Sequence, residues 1–312
     1  MILVVGGPSF PGRSLLRQLH GYGQPLRLLL EPSSTSPHLP SGLGIEAALT
    51  SSLDERGVRA AMVGVETVLH VGGARLRIEL EDPSDSHARA AQILVDAAVE
   101  AGVRRIVYAS QLGADRASAY PLLRANALVE DAIQQSPLAF TILRSSVLFG
   151  EGDRFTTGLA QLIAASPLVF LLPGDGTTTL QPLWVEDLAT AMLWSLELPE
   201  TIGNTYNIGG PEYIALEELV RMVMREAAML RIILKTRPPY LRFGARLLQN
   251  VLRRPPVNTH WIDYLAVSRT TDLNTLPRVF GLAASRMEEK IGYLRNRNWG
   301  WVFLRNQFEK GR

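Results

Sequence analysis

The chain of 312 residues contains no cysteine. Disulfides, thiolate metal sites and a cysteine nucleophile are therefore excluded. Lysine is nearly as scarce, with none before Lys235. Residues 1–220 carry 14 arginines against 24 acidic residues, net −10, while residues 221–312 carry 18 basic and 6 acidic residues, net +12. Long apolar runs are also missing. Leu159 to Leu172 is interrupted by Pro167 and holds about 14 residues, short of the roughly 20 that a bilayer span needs. His20, His38, His70, His87 and His260 are scattered without metal-ligand spacing, so no metal site is expected. No P-loop, serine-hydrolase elbow or zinc pattern occurs. Asp153, Asp175, Glu186 and Asp187 form no acid pair by spacing. Glu186 and Asp187 suit the start of a helix, where acids complement the dipole.

What is present begins at Met1. Ile2–Val5 is an apolar strand. It runs into Gly6-Gly7-Pro8-Ser9-Phe10-Pro11-Gly12, and this loop opens an amphipathic helix over Pro11–His20. A glycine loop between a buried strand and a helix N-terminus lets a pyrophosphate approach the backbone. The cofactor positions expected from it are Gly6, Gly7, Ser9, Phe10, Pro11 and Gly12. Two of them depart from the ideal. Ser9 stands where the central glycine belongs, and Pro11 removes a backbone N–H. The direct entry into a core strand argues against a signal peptide, and a cytoplasmic protein is expected.

Further strands are expected at Leu26–Leu30, Ile45–Leu49, Thr67–Val71, Arg105–Ala109 and Phe140–Arg144. Helices alternate with them at about Leu53–Met62, Ser86–Ala101 and Leu122–Gln134. This alternation predicts an α/β fold with a Rossmann-type doubly wound parallel sheet and right-handed crossovers. Residues 1–150 form the expected dinucleotide-binding domain. Residues 151–312 form a smaller C-terminal α+β portion for substrate or partner, with segments returning to the core and a basic tail from about 221. After Gly150, helices are expected at Val185–Leu196 and Leu216–Met229, with a strand at Thr205–Ile208. Pro238 to about Leu252 reads as a basic amphipathic helix. Its apolar side can dock on its own domain or lie on an anionic membrane. The cluster Trp299 to Leu304 is either an interfacial anchor or a packed tail.

Several segments stand in an order that resembles the atypical short-chain dehydrogenases/reductases. They are the loop Gly6–Gly12, Val68-Leu69-His70-Val71-Gly72-Gly73, Val107 to Ala114, Ile142 to Gly150, Pro182 to Ala189, and Tyr206-Asn207-Ile208-Gly209-Gly210-Pro211. The resemblance is to the branch of the 39-kDa-like accessory subunit of respiratory complex I and the NmrA-like NAD(P)-binding proteins. It covers about residues 1–230. It implies cofactor contacts at Val71, Gly72, Ser110 and Ser145 and a packed His70.

The resemblance also implies a Tyr-x-x-x-Lys pair, in which the lysine lowers the tyrosine pKa and holds the nicotinamide ribose. That pair is not intact. In one frame its positions fall on Leu122 and Asn126. In another, Tyr120 and Arg124 keep the spacing with arginine for lysine. Ser110, Tyr120 and Arg124 are thus the weak catalytic candidates, and Tyr120 reads more simply as a loop residue. Glu31, at the end of the second strand, either accepts from a ribose 2′-hydroxyl, favouring NAD(H) over NADP(H), or is a solvated loop residue. Ala48 stands near the acid that relatives use on adenine.

Three functions remain open. The first is a non-catalytic or weakly catalytic accessory or assembly subunit of a membrane-associated redox complex, respiratory or photosynthetic, held peripherally on the cytoplasmic face. The second is an NAD-dependent reductase or nucleotide-sugar epimerase-like enzyme. The third is an NmrA-like dinucleotide-sensing regulator. The expected cofactor is NAD(H) or NADP(H), with loss of cofactor binding as the alternative. The expected partner is a protein in a membrane complex, with an anionic membrane surface as a further candidate and no nucleic acid.

Overall fold

The structure, a computed structural model, describes residues 1–32, 44–71, 84–237, 239–240 and 267–308. Gly72 and the helix expected over Pro238 to Leu252 lie outside the described residues, apart from Pro239 and Tyr240. The chain divides into two compact units. The first comprises Met1–Ser145, Val185–Ile208 and Asn274–Leu282; the second comprises Ser146–Trp184, Gly209–Leu273 and Ala283–Arg312.

The first unit is a parallel Rossmann sheet. Its strands are β1 (Ile2–Val5), β2 (Leu26–Leu30), β3 (Ile45–Leu49), β4 (Thr67–Val71), β5 (Arg105–Gln111) and β6 (Ala139–Ser145), closed by a strand at Asn204–Ile208. From edge to edge the order is Asn204–Ile208, β6, β5, β4, β1, β2, β3. All pairs are parallel, with Val4 opposite Leu28 on one side and Leu69 on the other. β2 is buried along its whole length, as a strand covered on both faces must be. The helices that provide such cover are α1 (Phe10–Leu19), α2 (Glu55–Ala61), α3 (Ser84–Glu100) and α4 (Pro121–Gln134), joined by the returning helix Val185–Glu197. Leu3, Val68, Ile106, Ala98 and Ile133 meet in one core cluster, where each large aliphatic contributes about 1.5–3 kcal/mol by leaving water.

Strand order reverses between β1 and β4. In open α/β sheets the crevice beyond the strand C-termini at such a point is where ligands bind. Glu186 and Asp187 fall in the first turn of their helix, as the sequence predicts. There Glu186 accepts from Gln18 on α1 (3.0 Å) and pairs with Arg17 (2.5 Å), tying the returning helix to the nucleotide unit.

The second unit has its own core, built from Phe149, Leu159, Phe170, Leu219, Val223, Met287 and Trp299 among others. The apolar run Leu159–Leu172 divides at Pro167 into the end of a helix, Thr156–Ala165, and a strand, Val169–Pro173. That strand pairs in parallel with Ile232–Thr236, a pairing the sequence pattern did not announce. The helix from Leu216 stops at Glu226, three residues short of expectation. Ala228 takes φ +53 and Met229 N–H turns back to the Met224 carbonyl (2.9 Å), a left-handed ending made without glycine. Buried Asp153 accepts from the Gly150 and Thr157 amides and from the hydroxyls of Thr156 and Tyr293. Burial pushes its carboxyl upward, and the local bonds identify it as a helix-start anchor.

Candidate functional site

Five consecutive features follow strand C-termini of the first unit: the Gly6–Gly12 loop after β1, Glu31 after β2, Val71 ending β4, Ser110 near the end of β5, and Ser145 ending β6. The parallel sheet delivers them to one edge because every strand points the same way.

The glycine loop is shaped by close approaches. Gly6 has φ +83, and a Cβ on it would lie 2.3 Å from the Val71 carbonyl oxygen. A Cβ on Gly12 would lie 2.3 Å from the Gly6 oxygen and 2.5 Å from that of Gly7. Both positions therefore require glycine, one for conformation and contact with β4, the other so that α1 can start on top of the loop. Gly7 is only tight, at 3.2 and 3.3 Å from the flexible side chains of Leu28 and Leu16.

Ser9 is not a defect in the fold. Its φ of −67 suits any residue, and its hydroxyl accepts the Gly12 N–H at 3.1 Å as the N-cap of α1. Ser9 N–H closes the turn on the Gly6 carbonyl (2.9 Å), and Arg13 N–H takes the Ser9 carbonyl (2.9 Å). The first turn of a helix normally presents several unsatisfied amides to an anion. Here Gly12 and Arg13 are engaged and Pro11 has none, so the amide of Phe10 is the donor left in that stretch. The loop keeps the cradle and loses much of the grip.

Glu31 is exposed, and its Oε1 accepts the Ser52 N–H at 2.8 Å. That bond fixes the carboxylate beside the end of β2 and leaves Oε2 for another donor. The two readings of Glu31 are therefore compatible: it is a surface residue, and it is held in one place.

Around Ser110 the arrangement is unlike that expected of a reacting hydroxyl. Ser110 is buried, and its hydroxyl donates to Glu130 on α4. Glu130 is 2% exposed and accepts from Arg144 on β6 through Nε (3.0 Å to each oxygen) and Nη2 (2.5 Å). Glu130 in turn holds the Arg144 guanidinium above its ordinary pKa. Ser145 donates its hydroxyl to the Ser110 carbonyl (3.1 Å), tying the ends of β5 and β6 together. Asn126, which takes the lysine position in one frame, accepts from the Tyr108 hydroxyl at 3.0 Å. Burial raises the Tyr108 pKa, and the Glu130 charge adds to it. Tyr108 also meets His70 with ring centroids 4.8 Å apart. Burial lowers His70 to about 4, with His87 adding repulsion, so the ring is neutral.

Tyr120 is the residue before α4, with extended backbone (φ −96, ψ 116). Arg124, one turn later, donates its N–H to the Tyr120 carbonyl (3.1 Å) and Nη1 to the Ser118 carbonyl (2.7 Å). Its guanidinium is thus partly committed to the loop that carries Tyr120. The contact between Glu130 and Arg144 was not foreseen from the sequence. The available signal was a carboxylate on the apolar face of α4, which demands a cationic or donor partner when buried. No group of acids and histidines among the described residues could hold a metal ion. No described helix is long and apolar enough to cross a membrane.

The sheet order, the glycine cradle at the β1/β4 crevice and an acid at the end of β2 define a dinucleotide-binding Rossmann protein. The NAD(P)H-binding family matches residues 6–164, and the chain belongs to that family. Several of its curated relatives fall in the branch implied by the sequence motifs. It is 29% identical over 226 residues, 70% of this chain and 56% of the relative, to the mitochondrial NADH dehydrogenase [ubiquinone] 1 alpha subcomplex subunit 9 of Arabidopsis thaliana. It is 28% identical over 172 residues, 54% of this chain and 45% of the relative, to the Mus musculus protein of the same name. The chain therefore spans about half the length of these relatives. Among solved structures it is similar to gox2253, with TM-score 0.73, 22% identity and coverage of 100% and 99% of the two chains. It is also similar to UDP-glucose 4-epimerase of Thermus thermophilus in complex with NAD, with TM-score 0.70, 19% identity and coverage of 94% and 97%. At these identities the structures speak for the fold alone.

The site's own residues fit a dinucleotide. Gly6, Gly7, Gly12 and the Phe10 amide would hold the pyrophosphate, and Glu31 Oε2 a ribose hydroxyl. A bound nicotinamide would supply hydride chemistry.

Proposed function

We propose that this chain is a dinucleotide-carrying accessory or assembly protein of a membrane-associated redox complex, with little or no turnover of its own. One observation carries the reading. The hydroxyl of Ser110, one of the three catalytic candidates, is engaged by a buried Glu130–Arg144 pair, and no lysine precedes Lys235. The nucleotide cradle is kept while the proton-transfer machinery is not. The relatives named as NADH dehydrogenase subunits support a protein partner in such a complex. Glu31 supports NAD(H) over NADP(H), because a carboxylate repels a 2′-phosphate. The absence of a crossing helix among the described residues is compatible with peripheral attachment, which we assign to the cytoplasmic face.

The test is a titration of purified protein with NADH and NADPH, followed by fluorescence and thermal shift, with a carbonyl-substrate turnover screen alongside. Micromolar NADH binding, worth about 8 kcal/mol, with no turnover is the expected result. No binding of either nucleotide overturns the carrier role and leaves a scaffold. A second reading, a working reductase or epimerase, draws on Tyr120 and Arg124 standing one helical turn apart at the start of α4. Turnover that vanishes in Tyr120→Phe would establish it.

A further inference from the structure

The start of α1 runs against the usual electrostatics of a helix. A helix N-terminus carries partial positive charge, which favours acids and disfavours cations. The first turn of α1 holds no acidic residue, and its fourth residue is Arg13. Arg17 stands one turn further along, on the same face. Arg17 is neutralised by Glu186 on the returning helix (2.5 Å). Arg13 is not neutralised in this way. Burial, and after it the repulsion of Arg17, lowers the Arg13 guanidinium from its ordinary pKa, and no carboxylate among the described residues offsets them.

The Arg13 side chain reaches back along the glycine loop. Its Nη1 donates to the Pro8 carbonyl at 3.1 Å, which holds the half-buried side chain beside the turn between β1 and α1. No acceptor among the described residues takes its Nε or Nη2. That edge of a guanidinium is a fork able to take two oxygens of one phosphate side by side. The same stretch is short of backbone donors. The Gly12 N–H is taken by the Ser9 hydroxyl (3.1 Å), and Pro11 has none. A misplaced cation and a depleted set of amides thus occur within three residues of each other.

We propose that the Arg13 guanidinium grips the diphosphate of the bound dinucleotide through its Nε–Nη2 edge, replacing the amides that Ser9 and Pro11 withdraw. The ligand is the dinucleotide that the fold already implies. A diphosphate seated at the start of α1 gives Arg13 its missing anion, offsets the repulsion from Arg17 and reverses the unfavourable sign at the helix end. A charge-assisted arginine fork is roughly twice as strong as a neutral hydrogen bond, so one side chain compensates for two lost donors. The 2′-phosphate of NADPH is a second source of the same charge. Glu31 at the end of β2 disfavours it, and the diphosphate that NADH and NADPH share is the group assigned. The inference rests on the carrier reading above and names the side chain that makes the altered loop sufficient.

Calorimetric titration of the full chain with NADH, NADPH and ADP-ribose tests it, alongside thermal melts without ligand. Arg13→Gln should weaken all three ligands alike, by more than about tenfold, the worth of one hydrogen bond to a charged group. Arg13→Lys keeps the charge without the fork and should fall between the wild type and Arg13→Gln. Arg17→Gln removes a cation that is already paired and should change affinity by less than about threefold. The melting temperature of free Arg13→Gln should hold or rise, because a cation leaves a helix N-terminus. Unchanged NADH affinity in Arg13→Gln, with the wild type binding, overturns this inference and leaves the carrier reading standing. Loss confined to one of the three ligands places Arg13 on a group they do not share and overturns it. Equal losses in Arg13→Gln and Arg17→Gln overturn it in favour of a general field of positive charge. A lower melting temperature of free Arg13→Gln makes the residue a brace for the loop and also overturns it. No NADH binding by the wild type overturns the carrier reading, and the inference with it.

Discussion

Ser110 donates its hydroxyl to Glu130, and this bond joins the end of β5 to the buried face of α4. A carboxylate at 2% exposure is tolerable there because Arg144 grips it from β6. The hydroxyl is consumed in holding the fold. Glu130→Ala should cost about 3 kcal/mol, since it leaves the Arg144 charge half-buried and unpaired. Ser110→Ala removes one hydrogen bond to a charged group and should cost about 1.5–3 kcal/mol. Urea denaturation measures both. Unchanged NADH affinity in Ser110→Ala is expected, and a large loss would return this serine to the cofactor.

The glycine loop gives a graded pair of variants. Gly6→Ala must place a Cβ against the Val71 carbonyl at positive φ, and the left-handed backbone alone costs roughly 1–2 kcal/mol. Nucleotide binding should be lost and the melting temperature lowered. Gly7→Ala meets only side-chain carbons that can shift and should be the milder change in both assays. Equal effects would mean that the loop is not under the constraint its geometry describes.

Ser9 and Pro11 have separable roles. Ser9→Ala removes the N-cap of α1 and should cost about 1 kcal/mol in stability, against a few tenths for Ser9→Gly. Pro11→Ala returns an amide to the helix start. NADH should then bind more tightly, by about tenfold if the new amide takes a phosphate oxygen, since such a bond is worth about 1.5–3 kcal/mol. Calorimetry of the two variants side by side checks this.

Cofactor choice should follow Glu31. Its Oε1 is held by the Ser52 amide (2.8 Å), so the carboxylate cannot simply swing away from a 2′-phosphate. Glu31→Gln should narrow the gap between NADH and NADPH, and Glu31→Arg should reverse it. If the ratio of the two affinities is the same in all three proteins, Glu31 is a surface residue only.

His70 predicts an acid-sensitive core. Burial holds it near 4 instead of 6.5 in the folded protein. Between those values the unfolded chain binds the extra proton, so stability rises with pH across this window. The contribution is fully present above about pH 6.5 and falls as pH drops toward 4, with an upper bound of about 3 kcal/mol. Denaturation curves across that range should flatten in His70→Gln. A wild-type curve already flat there would place the ring in water.

Much of the site was legible because its grammar is local. A buried strand, a glycine turn and a helix start are each specified by neighbouring residues, so Gly6, Gly12 and Ser9 could be placed before any packing was known. Glu31 was legible by its distance from the loop and the end of β2. The Ser110–Glu130–Arg144 contact was not, because its members are 20 and 14 residues apart and meet only when α4 packs over β5 and β6. The ribbon in the second unit was hidden for the same reason. Its strands are separated by more than fifty positions in the chain, and each is too short to be distinguished from a buried helical segment by periodicity.

By itself the sequence determined the α/β alternation, the nucleotide loop, the missing lysine and the gathering of positive charge after residue 220, since each depends on residue type and short-range spacing. Only the tertiary structure decided that Ser9, which replaces the central glycine of the loop, caps the first helix and that Ser110 is spent on a buried ion pair. It alone decided, too, that Leu171, Ile232 and Leu234 turn to the outside. Hydrogen-bond partners and exposure depend on which distant segments pack together, and backbone pattern alone does not specify that packing.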